Sequence, residues 1–276
     1  MRNRFDSQLE ILSNTIEEMG SLVEDSLRAA IETLSSLDRA TAKHIVAADK
    51  EIDQKQKEIE GLCLRLLLSQ QPVARDLRLI SASLKMVGDL ERIGDQAADI
   101  AEIVAYTDPS DAPIQLEAIP AMGKATLLML GQSVSAFTDR DLHLARHVID
   151  SDDTVEACFA SAKRELVQIV KNNESRAESA INSIMVAKYL ERIGDHAMNV
   201  AQWAIFAESG THHGVSLING ATEIDDKPSL SIQAKVRKAK RLAGFITYET
   251  KSPCAWPGKD IPYNLPDENR SGSFPP

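Results

Sequence analysis

Apolar residues return every three or four positions along the first stretch of the chain: Phe5, Leu9, Leu12, Ile16, Met19, Val23, Leu27, Ile31 and Leu34. That spacing draws one stripe down a helix of 3.6 residues per turn and predicts a long amphipathic helix over roughly residues 4–36. Ser36-Leu37-Asp38 then offers capping side chains for a second helix, which carries Ile45, Ile52, Ile59, Leu62 and Leu66 and ends near Ser69. Pro72 suits the first turn of a third helix, because the N–H it lacks would have no partner there. Leu79, Leu84, Val87, Leu90, Ala97 and Val104 give this third helix its stripe as far as Asp108-Pro109, and the two prolines within 108–114 mark a linker.

Beyond the linker the pattern restarts. Ala125, Leu128, Val134 and Phe137 belong to a fourth helix, Thr138-Asp139 reads as a cap, a fifth helix covers about 140–171, and a sixth about 174–208. The expectation is an all-α fold of two tandem antiparallel three-helix bundles, residues 1–107 and 115–209, followed by a C-terminal extension over 210–276. The extension is rich in Gly and Pro and has little helical period outside the basic stretch Lys235 to Arg241, so disorder is expected there. That basic stretch could touch anionic lipid or an acidic partner, although a simply solvated run is the blander reading.

The two halves are copies. Leu90-Glu91-Arg92-Ile93-Gly94-Asp95 recurs letter for letter as Leu190-Glu191-Arg192-Ile193-Gly194-Asp195, one hundred residues on. The match continues through Ser83/Ser183, Leu84/Ile184, Ala97/Ala197 and Ala101/Ala201. Each copy puts a Glu and an Asp four residues apart on one helix face, where like charges repel by a few tenths of a kcal/mol. Something outside the helix should compensate.

Antiparallel geometry supplies the facing side chains. If the second and third helices fold back about position 72, residues equidistant from it lie level; Asp53 pairs with Glu91 and Asp49 with Asp95 on that rule. In the second half, Asp152 with Asp195 and Glu156 with Glu191 share a midpoint within Lys171-Asn172-Asn173-Glu174-Ser175, a plausible turn. Four carboxylates converging between two helices are costly unless cations sit among them. Oxygen-only ligands suit divalent or trivalent metal clusters, with magnesium, calcium, manganese, iron and zinc all compatible. Asp99, one turn past Asp95, extends the first set, whereas its equivalent Asn199 is a weaker ligand. The alternative is that the acids pair with Arg92, Arg192, Lys50 or Lys55, or face water.

Other constellations carry less. His143 and His147 stand at i and i+4, but only Asp150 accompanies them. Arg75 and Arg78 near the first turn are candidate anion contacts, the alternative being solvated charges. There is no P-loop, dinucleotide fingerprint or Gly-x-Ser-x-Gly, so catalysis has no support in the sequence. The net charge of −10 on 276 residues disfavours nucleic acid. Cys63, Cys158 and Cys254 are odd in number without ligand spacing, which fits a reducing cytoplasm. No signal-peptide core opens the chain, and the densest apolar run, Leu62 to Leu68, is broken by Arg65, so a soluble protein without direct membrane insertion is expected.

On Asp49-Lys-Glu-Ile-Asp53, the turn Gln70-Gln71-Pro72-Val73-Ala74-Arg75-Asp76-Leu77-Arg78, both Leu-Glu-Arg-Ile-Gly-Asp copies, Asp195-His196 and the opening Phe5, Leu9, Leu12 and Met19, the chain resembles the PhoU family over about residues 4–209. The resemblance implies a cytoplasmic, often homodimeric negative regulator of the phosphate-starvation response. Such a regulator links the ATPase subunit of a phosphate ABC transporter to a sensor histidine kinase, recruited to the inner membrane face by those partners. It also implies metal clusters on Asp49, Asp53, Glu91 and Asp95, and on Asp152, Glu156, Glu191 and Asp195. The second set departs from the first at Glu156 and Asn199, and residues 211–276 have no counterpart in the family pattern. Rival readings are a metal-dependent enzyme built on the carboxylates and a metal-free helical scaffold.

Overall fold

A computed structural model describes residues 2–216. Six long helices, α1 (Arg2–Ser36), α2 (Arg39–Gln70), α3 (Ala74–Tyr106), α4 (Ala118–Thr138), α5 (Leu142–Asn172) and α6 (Ala177–Ser209), make up almost all of it. Single 3₁₀ turns, Pro109–Asp111 and Glu174–Arg176, sit in the linker and before α6. Two-residue strands β1 (Thr211–His212) and β2 (Val215–Ser216) pair antiparallel after α6. The expected all-α pair of antiparallel three-helix bundles is what the chain forms; the expected disorder of 217–276 lies outside the described residues.

The helix starts repeat as faithfully as the Leu-Glu-Arg-Ile-Gly-Asp motif. Leu37 (φ 54°) and Arg140 (φ 60°) take left-handed conformations at the first and fourth interhelical turns. Each is followed by an aspartate whose carboxylate accepts two backbone N–H bonds of the next helix: Asp38 from Ala40 and Thr41, Asp141 from His143 and Leu144. Both carboxyls are lowered, Asp38 first by a further bond from the Thr41 hydroxyl and then by its backbone bonds, Asp141 chiefly by the Leu144 N–H. The cap of α5 is therefore Asp141, not the expected Thr138-Asp139; Asp139 instead ends α4, its N–H reaching the Ser135 carbonyl. Pro72 also differs from expectation. It lies ahead of α3, between left-handed Gln71 (φ 46°), just past the end of α2, and extended Val73, just before the first residue of α3.

Within each half every helix packs on the other two, and the halves join through α3 on α6 and α1 on α4. Close approach at the α1–α4 seam depends on missing side chains: a Cβ on Gly20 would lie 2.9 Å from Val134, and one on Gly123 3.0 Å from Ile31. Leu12, Ile16, Met19 and Leu27 of α1, Leu90, Ile93 and Ile100 of α3, and Leu190 and Ile193 of α6 are wholly buried. With the buried residues of α2, α4 and α5 they form one contiguous core. The two repeats thus share an interior rather than holding separate ones.

The α6 end of the molecule is bracketed by arginines. Arg75 Nη2 donates to both Glu208 carboxylate oxygens at 2.9 Å, and Arg78 donates to the Ala207 and Glu208 carbonyls at 3.3 and 3.1 Å. A cation at a helix C-terminus satisfies otherwise unpaired carbonyls and complements the helix dipole. These two candidate anion contacts are thereby occupied in tying α3 to α6.

Candidate carboxylate sites

The register inferred from the turn midpoints holds in three dimensions, and the repeated glycine shows why. A Cβ on Gly94 would sit 2.9 Å from Ile52 Cδ1 and 3.4 Å from Asp49 Oδ1; one on Gly194 would sit 3.2 Å from Asp152 Oδ1 and 3.5 Å from Val155. Each glycine lets the α2 or α5 backbone close onto α3 or α6 at the level of the first acid of its pair. Ile52 and Val155 fill the same notch. The acids are carried beside this contact, on the seams α2/α3 and α5/α6.

In the first half the carboxylates feel one another. Asp49 is pushed up to about 6, by burial first and then by the charges of Asp95, Asp53 and Asp99. Glu91 is also raised, by burial and then Asp95, against the opposing pull of Arg92, with Asp53 and Asp49 adding to the rise. Arg92 reaches Asp95 at 3.1 Å and Glu91 at 3.5 Å, but it does so from the surface, with 61% of its side chain exposed. Such a pair is screened and contributes little. Lys55, a suggested counter-ion, pairs with Glu18 and Glu58 instead.

The second half meets the same problem with a different side chain. Glu191 is buried, and the ammonium of Lys188, one turn earlier on α6, bonds directly to its carboxylate while lying 5.6 Å from the centre of the Phe159 ring. Asp152 is likewise buried, while Glu156 and Asp195 are half-exposed. The position equivalent to Lys188 in the first half is Gly88, around which a Cβ would meet nothing within 4 Å. Lys188 has no signal in the shared motif; the only trace of it in the sequence is the difference between the repeats, Lys188 against Gly88.

The end of each motif is drawn into the α3–α6 seam. Asp89 accepts from Asn199 Nδ2 at 3.2 Å and Trp203 Nε1 at 3.1 Å, and its Oδ1 is 2.9 Å from His196 Nδ1. Asn199, considered above as a weak ligand, is therefore committed to Asp89. On the other side of the pseudo-symmetric seam, Asp99 is raised by burial, then by Glu102 and Asp95, with Arg192 opposing. The tyrosine at the position equivalent to Asp89, Tyr189, is raised by burial and then by Asp99. Trp203 in turn stacks on His212 of β1, ring centres 3.8 Å apart, holding the hairpin to α6.

Among the described residues, no three or more His, Cys, Asp and Glu side chains are arranged so that they could hold a metal ion as they stand. The donor chemistry nonetheless fits a hard cation in the first half, where Asp49, Glu91 and Asp99 are raised by burial and then by neighbouring carboxylates. It fits less well in the second, where an ammonium already meets the most buried acid. His143 and His147 join no such group, and no helix among the described residues is long and apolar enough to cross a membrane.

Comparison with known proteins gives the same repeat. The family model described as the PhoU domain matches twice, over residues 16–104 and 119–204. A phosphate-specific transport system accessory protein PhoU homolog of Clostridium acetobutylicum is 36% identical over 210 residues, which are 76% of this chain and 96% of the relative. Its counterpart in Pseudomonas aeruginosa is 34% identical over 209 residues, 75% of this chain and 86% of the relative. The crystal structure of PhoU from Pseudomonas aeruginosa superposes with a TM-score of 0.72, covering 75% of this chain and all of that one. That of the phosphate transport system regulatory protein PhoU from Streptococcus pneumoniae, 28% identical, does so with 0.71, covering 75% of this chain and 98% of that one.

Proposed function

Because the chain belongs to the PhoU family, we propose that it is a non-enzymatic accessory regulator of a phosphate transport system. In this reading it acts as a cytoplasmic, homodimeric adaptor between the ATPase subunit of a phosphate ABC transporter and a sensor histidine kinase. It holds kinase signalling off and restrains uptake when phosphate is plentiful. The duplicated acidic seam carries the reading: two equivalent sets of carboxylates, set on rigid helices by a glycine notch, are a docking device rather than a catalytic cleft. Asp49, Asp53, Glu91, Asp95 and Asp99 would hold a metal cluster whose positive charge offsets their repulsion and presents coordination positions to a partner carboxylate or to phosphate. The second set, Asp152, Glu156, Glu191 and Asp195, would hold metal more weakly, since Lys188 competes for Glu191.

The regulatory claim is tested by deleting the gene in its host and following phosphatase expression in phosphate-rich medium. Expression should rise, and be restored by the intact gene but not by a copy carrying Glu91→Gln and Asp95→Asn; unchanged expression on deletion defeats it. Metal is tested separately, by elemental analysis of protein purified without chelator. Less than one metal ion per chain would leave the helical scaffold and remove the cluster.

A further inference from the structure

Between the start of α1, the start of α3 and the α4–α5 turn lies a cleft of about 320 Å³. That is at the small end of ligand sites, with room for a few side chains rather than for a whole element. Its floor is apolar, from Leu9, Leu12, Leu79 and Phe137, and its rim carries Asp6, Glu10 and Arg140. At the α2–α3 turn, Val73 and Leu77 at the start of α3 and Leu68 at the end of α2 are 74%, 43% and 84% exposed.

The chain leaves its described part at this same end. Arg140 on the rim lies 3.8 Å from Glu208, which Arg75 also holds, two residues from both Val73 and Leu77. Three residues past Glu208, Thr211 pairs with Ser216, which places Ser216 about one strand spacing, ~4.8 Å, from Thr211. Sixty residues, 217–276, follow it. They include Leu230, Ile232, Val236, Leu242, Phe245 and Ile246, interleaved with Lys235, Arg237, Lys238, Lys240 and Arg241. Fourteen residues lead from Ser216 to Leu230, and a chain of that length can span up to roughly 45 Å, enough for the cleft.

We propose that residues 230–246 of this chain dock at this end of the molecule, apolar side chains in the cleft and on the Leu68, Val73 and Leu77 patch, basic side chains against Asp6 and Glu10. Both complementarities point to the same occupant: an apolar floor with an acidic rim, and a nearby segment that mixes apolar and basic residues in a chain otherwise net negative.

A zero-length carbodiimide cross-linker joins carboxylates to lysines only where they touch. Applied to the full chain, it should join Asp6 or Glu10 to Lys235, Lys238 or Lys240 within the monomer. Links only between chains would make a second copy the occupant, and no links would leave the cleft without one; either overturns the proposal. Independently, Ser13→Cys on the cleft wall should react with a maleimide about tenfold more slowly in the full chain than when the five basic residues are also changed to Gln, a factor of ten being about 1.4 kcal/mol of occlusion. Peptide mass spectrometry reads that one site, and unchanged helical circular dichroism controls for folding. Equal rates would also overturn it.

Discussion

The two halves of this protein share a backbone and disagree about charge. Asp38 and Asp141 cap equivalent helices, Gly94 and Gly194 admit Ile52 and Val155, and Leu90 and Leu190 are equally buried. Yet the second half places Lys188 against Glu191, while the first has Gly88 at that position, and its Asp49 is raised to about 6 by burial and then by the charges of Asp95, Asp53 and Asp99. Duplication preserved what packing requires, because a change of volume in a close-packed interior is felt at once. Charge on the seam was free to diverge, since a half-exposed carboxylate can be compensated by a lysine, an arginine or an ion.

The sharpest way to break this comparison is through the shared frame. Leu90→Ala and Leu190→Ala should each cost about 2–5 kcal/mol in denaturant unfolding, and by similar amounts; one near zero would show that the halves are not equivalent in packing. Next comes the exchange of the residue in which they differ. In chelator-treated protein Lys188→Met should destabilise by about 1–2 kcal/mol, a range kept low because 40% of the lysine side chain is exposed. Gly88→Lys should stabilise by about 1 kcal/mol, from helix propensity and a nearby counter-charge, and should reduce metal uptake. Loss of stability in both would mean that the seam is not where the charges balance.

Smaller effects are pH-dependent and opposite in sign. Asp49 binds its proton more tightly in the folded state, about 6 against an ordinary 3.8. Its contribution is therefore most favourable at low pH and declines as pH rises from about 4 through 6. Asp49→Asn in metal-free protein should be neutral near pH 4 and stabilising by about 1 kcal/mol at pH 7.5, the figure reduced for partial exposure. His212 runs the other way: burial, then the charge of His213, depresses it to about 4 from 6.5, against a smaller pull from Asp89. The hairpin is thus fully held above about pH 6.5 and loosens as pH falls toward 4. Hydrogen exchange at residues 211–216 should quicken over that range in the wild type and stay flat in His212→Phe, which keeps the stack on Trp203 without the titration.

Much of the fold was legible because a long amphipathic helix advertises itself. Phe5 to Leu34 recur with the helical period, so α1 was readable to within a turn. The repeat places the second bundle, and turn symmetry alone brings Asp49, Asp53, Glu91 and Asp95 to one seam. What failed was local chemistry whose partners are remote in sequence. Pro72 looks like a helix start, but the chain turns through left-handed Gln71 and begins α3 only at Ala74. Arg75 and Arg78 look free for an anion until Glu208 arrives from more than one hundred residues away. Asn199 looks like a weak ligand until α6 crosses α3 and sets it on Asp89.

The sequence by itself determined the six helices, their duplication and the level at which the acids face each other, since all of these follow from periodicity and from distances counted along one helical hairpin. Only the tertiary structure decided that the halves share a core, that α3 lies on α6, and that Lys188 rather than an arginine meets the buried Glu191. Those outcomes depend on which surfaces come together across the duplication. No local period encodes that, because the free energy that selects it is spread over contacts between residues far apart in the chain.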